Sequence, residues 1–309
     1  MKEIRIGPEN TPVPAVIQGC MRIGEMSVNE VDTLIKTDID LGITFFDHAE
    51  CYANTYCEEL FGKALSRTKG LRDSIILQTK CGIIKDPEGT YYDASKDYII
   101  KTVHNALKRL GTDRLDYFLL HRPDALMEPE EVAAAYDYLY TEGSVLHFGV
   151  SNQNPSQMEL LKKYVKQTLE INQLQFSIMA SGMVDLGINV NTKFDGAVVR
   201  DSNVLDYCRI NDVTIQAWSP FQYGFFEGVF LDNPKFAELN EVINKIARNH
   251  KVSNSAIAVA WILRHPANMQ VIIGSTNTER IKKIAPGADI ELTRKEWYEI
   301  YVAAGNELP

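Results

Sequence analysis

Along most of the chain, short apolar runs rich in β-branched residues alternate with longer stretches in which apolar positions return every three or four residues. Runs that stay apolar at every position mark strands buried on both faces, and the longer period marks helices that turn one face to a core. Eight strand runs can be counted: Val16 to Cys20, Ile43 to Asp47, Ile75 to Lys80, Leu115 to His121, Val145 to Val150, Leu169 to Gln173, Thr214 to Trp218 and Val271 to Gly274. Between Asp97 and Leu110, the residues Ile99, Ile100, Val103, Ala106, Leu107 and Leu110 recur at helical spacing, and Gly111 stops that helix before the next strand.

Parallel strands joined by crossover helices account for such a series. A doubly wound sheet that bound a dinucleotide would carry a GxGxxG turn after its first strand, and the chain has none there. The pattern therefore predicts an α/β fold, a (β/α)8 TIM barrel. No Ser-, Pro- or Gly-rich linker divides it, so residues 1–309 read as a single domain. Two segments break the rhythm. Ile4 to Val16, with Gly7, Pro8, Asn10 and Pro14, is expected to form an N-terminal β-hairpin that closes the barrel floor. The stretch between Gln175 and Ser202 has turn residues and weak periodicity, and is expected to be one of the long loops of the C-terminal face, a lid or a substrate wall.

Composition narrows the picture. With 45% hydrophobic and 24% charged residues the chain has material for a large core. A net charge of -9 and a pI near 5.3 argue against nucleic acid and anionic membrane as partners. Cys20, Cys51, Cys57, Cys81 and Cys208 form no CxxC pair, so reduced thiols in a cytoplasmic protein are expected, without structural zinc or a disulfide framework. MKEIRIGPEN lacks the features of a signal peptide, and no apolar run approaches membrane-spanning length, so a soluble, unexported protein is expected.

In a barrel of this kind the chemistry gathers where strands end at the C-terminal face. There the second run ends in Asp47, the third in Lys80, the fourth in His121, the fifth in Ser151 and Asn152, and the sixth in Asn172 and Gln173, with Tyr52 following Asp47 in one short loop. Singly, each has a structural explanation: an aspartate caps a helix, a lysine is solvated, and a loop tyrosine packs on its ring. Asp, Lys and His at the ends of consecutive strands point to chemistry instead.

The segments LGITFFDHAECYANTYCEELFGKAL, ILQTKCG, ALKRLGTDRLDYFLLHRPD, HFGVSN, INQLQFS, QAWSPF and IIGSTNTER, in that order along nearly the whole chain, resemble the aldo-keto reductase family and its bacterial general oxidoreductases. The resemblance implies reduction of a carbonyl by hydride from a nicotinamide cofactor, with a tetrad of Asp47, Tyr52, Lys80 and His121. Tyr52 is the implied general acid. A free tyrosine titrates near about 10, so Lys80 is expected to lower its pKa, Asp47 to hold Lys80, and His121 to donate a hydrogen bond to the carbonyl oxygen.

The resemblance also implies that Ser151, Asn152 and Gln173 meet the nicotinamide carboxamide. Trp218, where tyrosine is commoner, would stack on the ring, and Ser219 and Phe221 would open the loop along the pyrophosphate. Gly274, Ser275, Thr276 and Arg280 lie where a strand hands over to a helix, a setting that favours phosphate; the resemblance places all four in the cofactor site and implies that Ser275, Thr276 and Arg280 bind the 2′-phosphate of NADP(H). Gly274 and Ile284 replace a basic residue and an asparagine of many relatives, which leaves NAD(H) open as the cofactor. His48 and Ala53 depart from the usual neighbours of the tetrad without removing a catalytic group.

Met21, Arg22, Tyr91 and Phe225, in the loops after the first, third and seventh runs, are expected to wall the pocket for a small-molecule carbonyl substrate. Arg22 either attracts an anionic substrate group or, the commoner case, pairs with a neighbouring acid. A rival reading is a cofactor-sensing regulatory subunit, like the channel β-subunits that share the family's fold and tetrad, although the short N-terminus offers no gating extension. Metal-assisted chemistry by Asp47, His48 and His121 lacks a recognisable ligand spacing, and no metal is expected. A monomer or small homo-oligomer is expected.

Overall fold

The computed structural model of the chain describes residues 1–87, 89–198, 202–306 and 308. Eight parallel strands close into a barrel. They are β1 (Val16–Gly19), β2 (Phe45–Asp47), β3 (Ile76–Cys81), β4 (Leu115–Leu120), β5 (Val145–Ser151), β6 (Leu169–Gln175), β7 (Thr214–Trp218) and β8 (Met269–Ile273). Closure is made at β1, where Val16 pairs with Val271 of β8 and Gly19 with Asp47 of β2. Around the barrel run α1 (Val28–Asp40), α2 (Tyr56–Leu65), α3 (Lys96–Leu110), α4 (Pro129–Glu142), α5 (Pro155–Lys162), α6 (Gly182–Ile188), α7 (Val204–Ile210), α8 (Ala237–His250), α9 (Asn254–Leu263), α10 (Thr278–Ile284) and α11 (Arg294–Ala303). The (β/α)8 barrel expected from the pattern is the fold observed.

Each strand alternates between the barrel interior and the helix layer. On β3, Leu77 and Cys81 join the outer core and Thr79 bonds to Glu58 of α2, while Gln78 and Lys80 point inward to Asp47. The interior is closed below by the hairpin of Glu3–Ile6 and Thr11–Pro14. Its Ile6 and Val13 pack on Ile17, Phe45, Tyr117, Leu119, Ile171 and Ile272, each contributing roughly 1.5–3 kcal/mol of burial.

At the opposite end, two antiparallel hairpins rise from the mouth: Ile83–Asp86 with Gly89–Tyr92 after β3, and Gln222–Tyr223 with Gly228–Val229 after β7. The stretch after β6 holds α6 and a 3-10 turn at Asp195–Ala197, and its residues 199–201 lie outside the described residues. Asp185 of α6 accepts a 2.8 Å bond from the Tyr301 hydroxyl, and Ser181 accepts one of 3.2 Å from Asn306, so this excursion is tied to the end of α11. Among the described residues no helix is long and apolar enough to cross a membrane.

Candidate active site

β2 and β3 bring Asp47 and Lys80 together inside the mouth. Lys80 Nζ donates to Asp47 Oδ1 at 2.6 Å and Oδ2 at 2.7 Å, and to the His48 carbonyl at 2.7 Å. The lysine is fully buried, and a buried ammonium is tolerable only with its partners in place. Asp47 Oδ1 also accepts from Gln78 at 2.6 Å and from Gln173 at 3.3 Å. Tyr52 lies over this pair, with Lys80 Nζ 5.2 Å from its ring centroid, and the His121 ring meets it edge-on at 6.1 Å. All four expected tetrad residues therefore converge.

The loop that carries Tyr52 is bent. Ala53, Asn54 and Thr55 sit at φ 47, 52 and 74, a left-handed run of non-glycine residues that persists only where the surroundings impose it. Buried carboxylates flank the bend. Glu50 accepts from the Gly82 N–H at 2.7 Å, Tyr98 at 2.9 Å and Thr102 at 3.1 Å, and Glu58 from Thr79 at 2.6 Å and Arg109 at 2.8 Å.

One expectation is corrected here. The net shift of the Tyr52 phenol is upward, not downward: burial pushes it well above its ordinary value and the Asp47 carboxylate adds in the same direction, which together exceed any lowering by Lys80. The ammonium is turned to Asp47 and His48, and the Tyr52 hydroxyl makes no hydrogen bond among the described residues. The phenol therefore keeps its proton. His121 is shifted the other way, well below its ordinary value, by burial and then by the charges of Lys80, Arg122 and Lys85, so it stays a neutral imidazole. Its Nδ1 lies 3.7 Å from the Cys51 thiol, itself held protonated by burial.

The other strand-end residues form a ring around the pair. Asn152, at φ 57, donates to Ser151 Oγ at 2.8 Å, and Ser151 donates to the Gln173 carbonyl at 2.9 Å. Trp218 is half-buried. Phe226 stacks on it at 5.9 Å, Phe225 meets it edge-on at 6.5 Å, and the Arg122 guanidinium lies 5.9 Å over it, while its indole Nε1 is buried without a partner among the described residues. Ser219 donates to Gln222 at 3.4 Å and the Phe221 carbonyl accepts from Phe230 at 3.1 Å, which folds both residues into the hairpin after β7. After β8, Gln18 holds the Ser275 carbonyl at 3.1 Å and Asn277 caps α10 by accepting from the Arg280 N–H at 3.0 Å. Thr276 is half-buried and Arg280 is exposed. A Cβ placed on Gly274 would meet no atom within 4 Å, so open space lies above this turn.

The sequence profile of the Aldo/keto reductase family matches residues 15–303. The chain belongs to that family. It is 34% identical to the uncharacterized oxidoreductase YcsN of Bacillus subtilis (strain 168), with 100% of each chain covered. It is 32% identical to the 6-dehydroglucose reductase of Agrobacterium fabrum, with 95% of each covered. The crystal structure of a thermostable aldo-keto reductase, Tm1743, in complex with the inhibitor epalrestat superposes with a TM-score of 0.78 at 25% identity, covering 98% of this chain and 100% of that one.

As an aldo/keto reductase, the chain is an oxidoreductase, and the convergent side chains described above lie at the C-terminal mouth of its barrel. The expected substrate-pocket residues sit on the rim of that mouth: Met21, Tyr91 and Phe225 are exposed, and Phe225 reaches inward to Trp218. Arg22 is exposed and makes no ion pair among the described residues, so the pairing with an acid that the sequence favoured is not formed; its guanidinium faces solvent instead. His48 packs its ring against Phe61 of α2 at 4.6 Å, and burial lowers its pKa to about 3. Reading the sequence missed Gln78, Gln216 and Gln270 inside the barrel, Cys51 beside His121 and Arg122 over Trp218. The period of two was the available signal, because Gln78 stands two residues before Lys80 and Gln216 two before Trp218, on the same faces.

Proposed function

We propose that this aldo/keto reductase reduces an aldehyde or ketone to an alcohol with hydride from NADPH, Tyr52 giving the proton. The observation that carries this reading is the convergence of a protonated phenol, a buried ammonium and a neutral imidazole in one barrel mouth. When bound, NADPH supplies the hydride. The residues present fit such a group. Trp218 offers a half-buried aromatic face, and Ser151, Asn152 and Gln173 offer an amide and hydroxyl set for a carboxamide. Ser275, Thr276 and Arg280 border the open space at Gly274, where a phosphate would lie.

His121 donates a hydrogen bond to the carbonyl oxygen, which orients and polarises it. Tyr52 then protonates that oxygen as it gains charge. A raised pKa does not prevent this transfer, because an alkoxide is a stronger base than a phenolate. Lys80 lies near enough to the ring to stabilise the phenolate left behind, and Asp47 fixes the lysine. The rim of Met21, Arg22, Tyr91 and Phe225 admits the substrate. The name of the Agrobacterium relative makes an oxidised sugar the first natural compound to try.

The test is steady-state oxidation of NADPH with 4-nitrobenzaldehyde and with methylglyoxal. Carbonyl-dependent turnover is expected for the wild type, and Tyr52→Phe should lower kcat by roughly 10²- to 10⁴-fold. Equal rates for the two proteins would remove Tyr52 from the role of acid. Arg280→Ala should weaken binding of NADPH and leave that of NADH unchanged.

A further inference from the structure

The inside of a (β/α)8 barrel is ordinarily filled by branched aliphatic side chains. Here a column of fully buried amides runs through it. Gln270 of β8 donates to the Pro14 carbonyl of the floor hairpin at 2.8 Å, and its own oxygen accepts from Gln216 of β7 at 3.0 Å. Gln216 and Gln78 of β3 bond reciprocally, at 2.8 Å and 3.1 Å, and Gln78 Nε2 continues to Asp47 Oδ1 at 2.6 Å. No side-chain nitrogen or oxygen of these three residues is among the buried unpartnered atoms.

We propose that Gln78 is a positioning residue for the Asp47–Lys80 pair, with its amide held in one orientation by Gln216, Gln270 and the floor hairpin. The two ends of the column set its direction. The Pro14 carbonyl at the foot and the Asp47 carboxylate at the head can each only accept hydrogen bonds. Gln270 must therefore turn its NH₂ down, its oxygen must receive the Gln216 NH₂, and Gln78 is left with its NH₂ toward Asp47. Turning the Gln78 amide over would set its oxygen against a buried carboxylate and break both bonds to Gln216. Asp47 and Gln78 are also register partners on neighbouring strands, so the short bond is built into the sheet.

Gln173 is the other amide on Asp47, but at 3.3 Å it is the longer bond. On the function proposed above, on which this inference rests, Gln173 also serves the carboxamide of the cofactor. Gln78 faces no such second demand and is the permanent donor. It fixes which way the Asp47 carboxylate points, and through it the place of Lys80 beneath Tyr52. The titratable side chains about Asp47 include Lys80 of β3, whose ammonium it binds, and the Tyr52 phenol and Cys20 thiol, on which its charge acts.

Two variants test this. Gln78→Met keeps the length of the side chain without a donor, and Gln78→Glu keeps its shape but donates only when protonated. With NADPH and 4-nitrobenzaldehyde, Gln78→Met is expected to lower kcat on the order of tenfold or more, as a misplaced catalytic group does, with KM within about twofold. A carboxylate that loses a donor becomes easier to protonate. In the cofactor-free protein, the Asp47 carboxyl followed by carbon-13 NMR should thus titrate at higher pH in Gln78→Met than in the wild type. In Gln78→Glu, activity relative to Gln78→Met should recover as the pH falls, because the protonated side chain donates again; a merely space-filling role would not produce that trend.

Wild-type kcat and an unshifted Asp47 titration in Gln78→Met would overturn the proposal. Should that variant not fold, Gln78→Glu decides by its pH trend, and a flat ratio to the wild type across pH would overturn it equally. If the wild type shows no carbonyl-dependent turnover while the Asp47 titration still shifts, the reductase reading fails and the positioning role stands.

Discussion

Asp38 is buried on α1, and neither of its carboxylate oxygens has a hydrogen-bond partner among the described residues. Burial raises its pKa from 3.8 to about 8. In the unfolded chain the group ionises near its ordinary value, so across the window from about pH 4 to pH 8 the folded state binds the extra proton and stability falls as pH rises. A tenfold change in proton affinity between the two states corresponds to about 1.4 kcal/mol, which makes the penalty near neutrality a few kcal/mol. Asp38→Asn removes the ionisation and keeps the shape. Urea denaturation should show it more stable than the wild type by a few kcal/mol at pH 7.5 and close to it at pH 4; equal stabilities at both pH values would show that Asp38 is not buried as a neutral acid. The clustering of Asp47, Tyr52, Lys80 and His121 was legible at this scale because a lone Asp47 or Lys80 breaks an apolar run at its strand end. Its electrostatics were not. The sequence places Lys80 near Tyr52, but only coordinates show that the phenol is raised, by burial and then by the Asp47 carboxylate, and that the ammonium is turned to Asp47 and His48.

Between elements, α2 and α3 approach through Gly62. A Cβ at that position would stand 2.1 Å from the Arg109 carbonyl oxygen and 2.9 Å from the Leu110 Cα, and a backbone neighbour has no rotamer by which to retreat. Gly62→Ala has a favourable helix propensity, worth about 1 kcal/mol. The clash should outweigh it, giving a net loss on the order of 1–3 kcal/mol by chemical denaturation. A more stable Gly62→Ala protein would mean that the helices do not meet there. The same contact carries Arg109 to Glu58, and thus braces the helix that follows the Tyr52 loop. Strands β1 to β8 were legible because each is an apolar run of strand length. α6 was not: at seven residues, Gly182–Ile188 is too short to display a helical period, so a helix tied to α11 read as irregular loop. The floor hairpin was legible for the opposite reason, its Gly7, Pro8 and Asn10 marking a turn between two short runs.

Across the whole molecule the three tryptophans divide into two reporters. Trp261 of α9 and Trp297 of α11 stack at 4.8 Å in the outer layer, and each indole N–H donates to the other's backbone carbonyl, at 3.1 Å and 3.0 Å. That pair clamps the last helices against the barrel and should report on global unfolding. Trp218 stands alone at the mouth, half-buried, with Phe225, Phe226 and Arg122 about it. If the proposed cofactor lies against its face, titration with NADPH should quench tryptophan emission saturably, and Trp218→Phe should lose the greater part of that quench. The unfolding transition followed by the remaining emission should survive, because Trp261 and Trp297 are untouched. A Trp218→Phe protein that keeps the full quench would place the nicotinamide elsewhere. A lost unfolding signal would instead mean that the outer pair does not report on the barrel, so the two halves of the experiment fail separately.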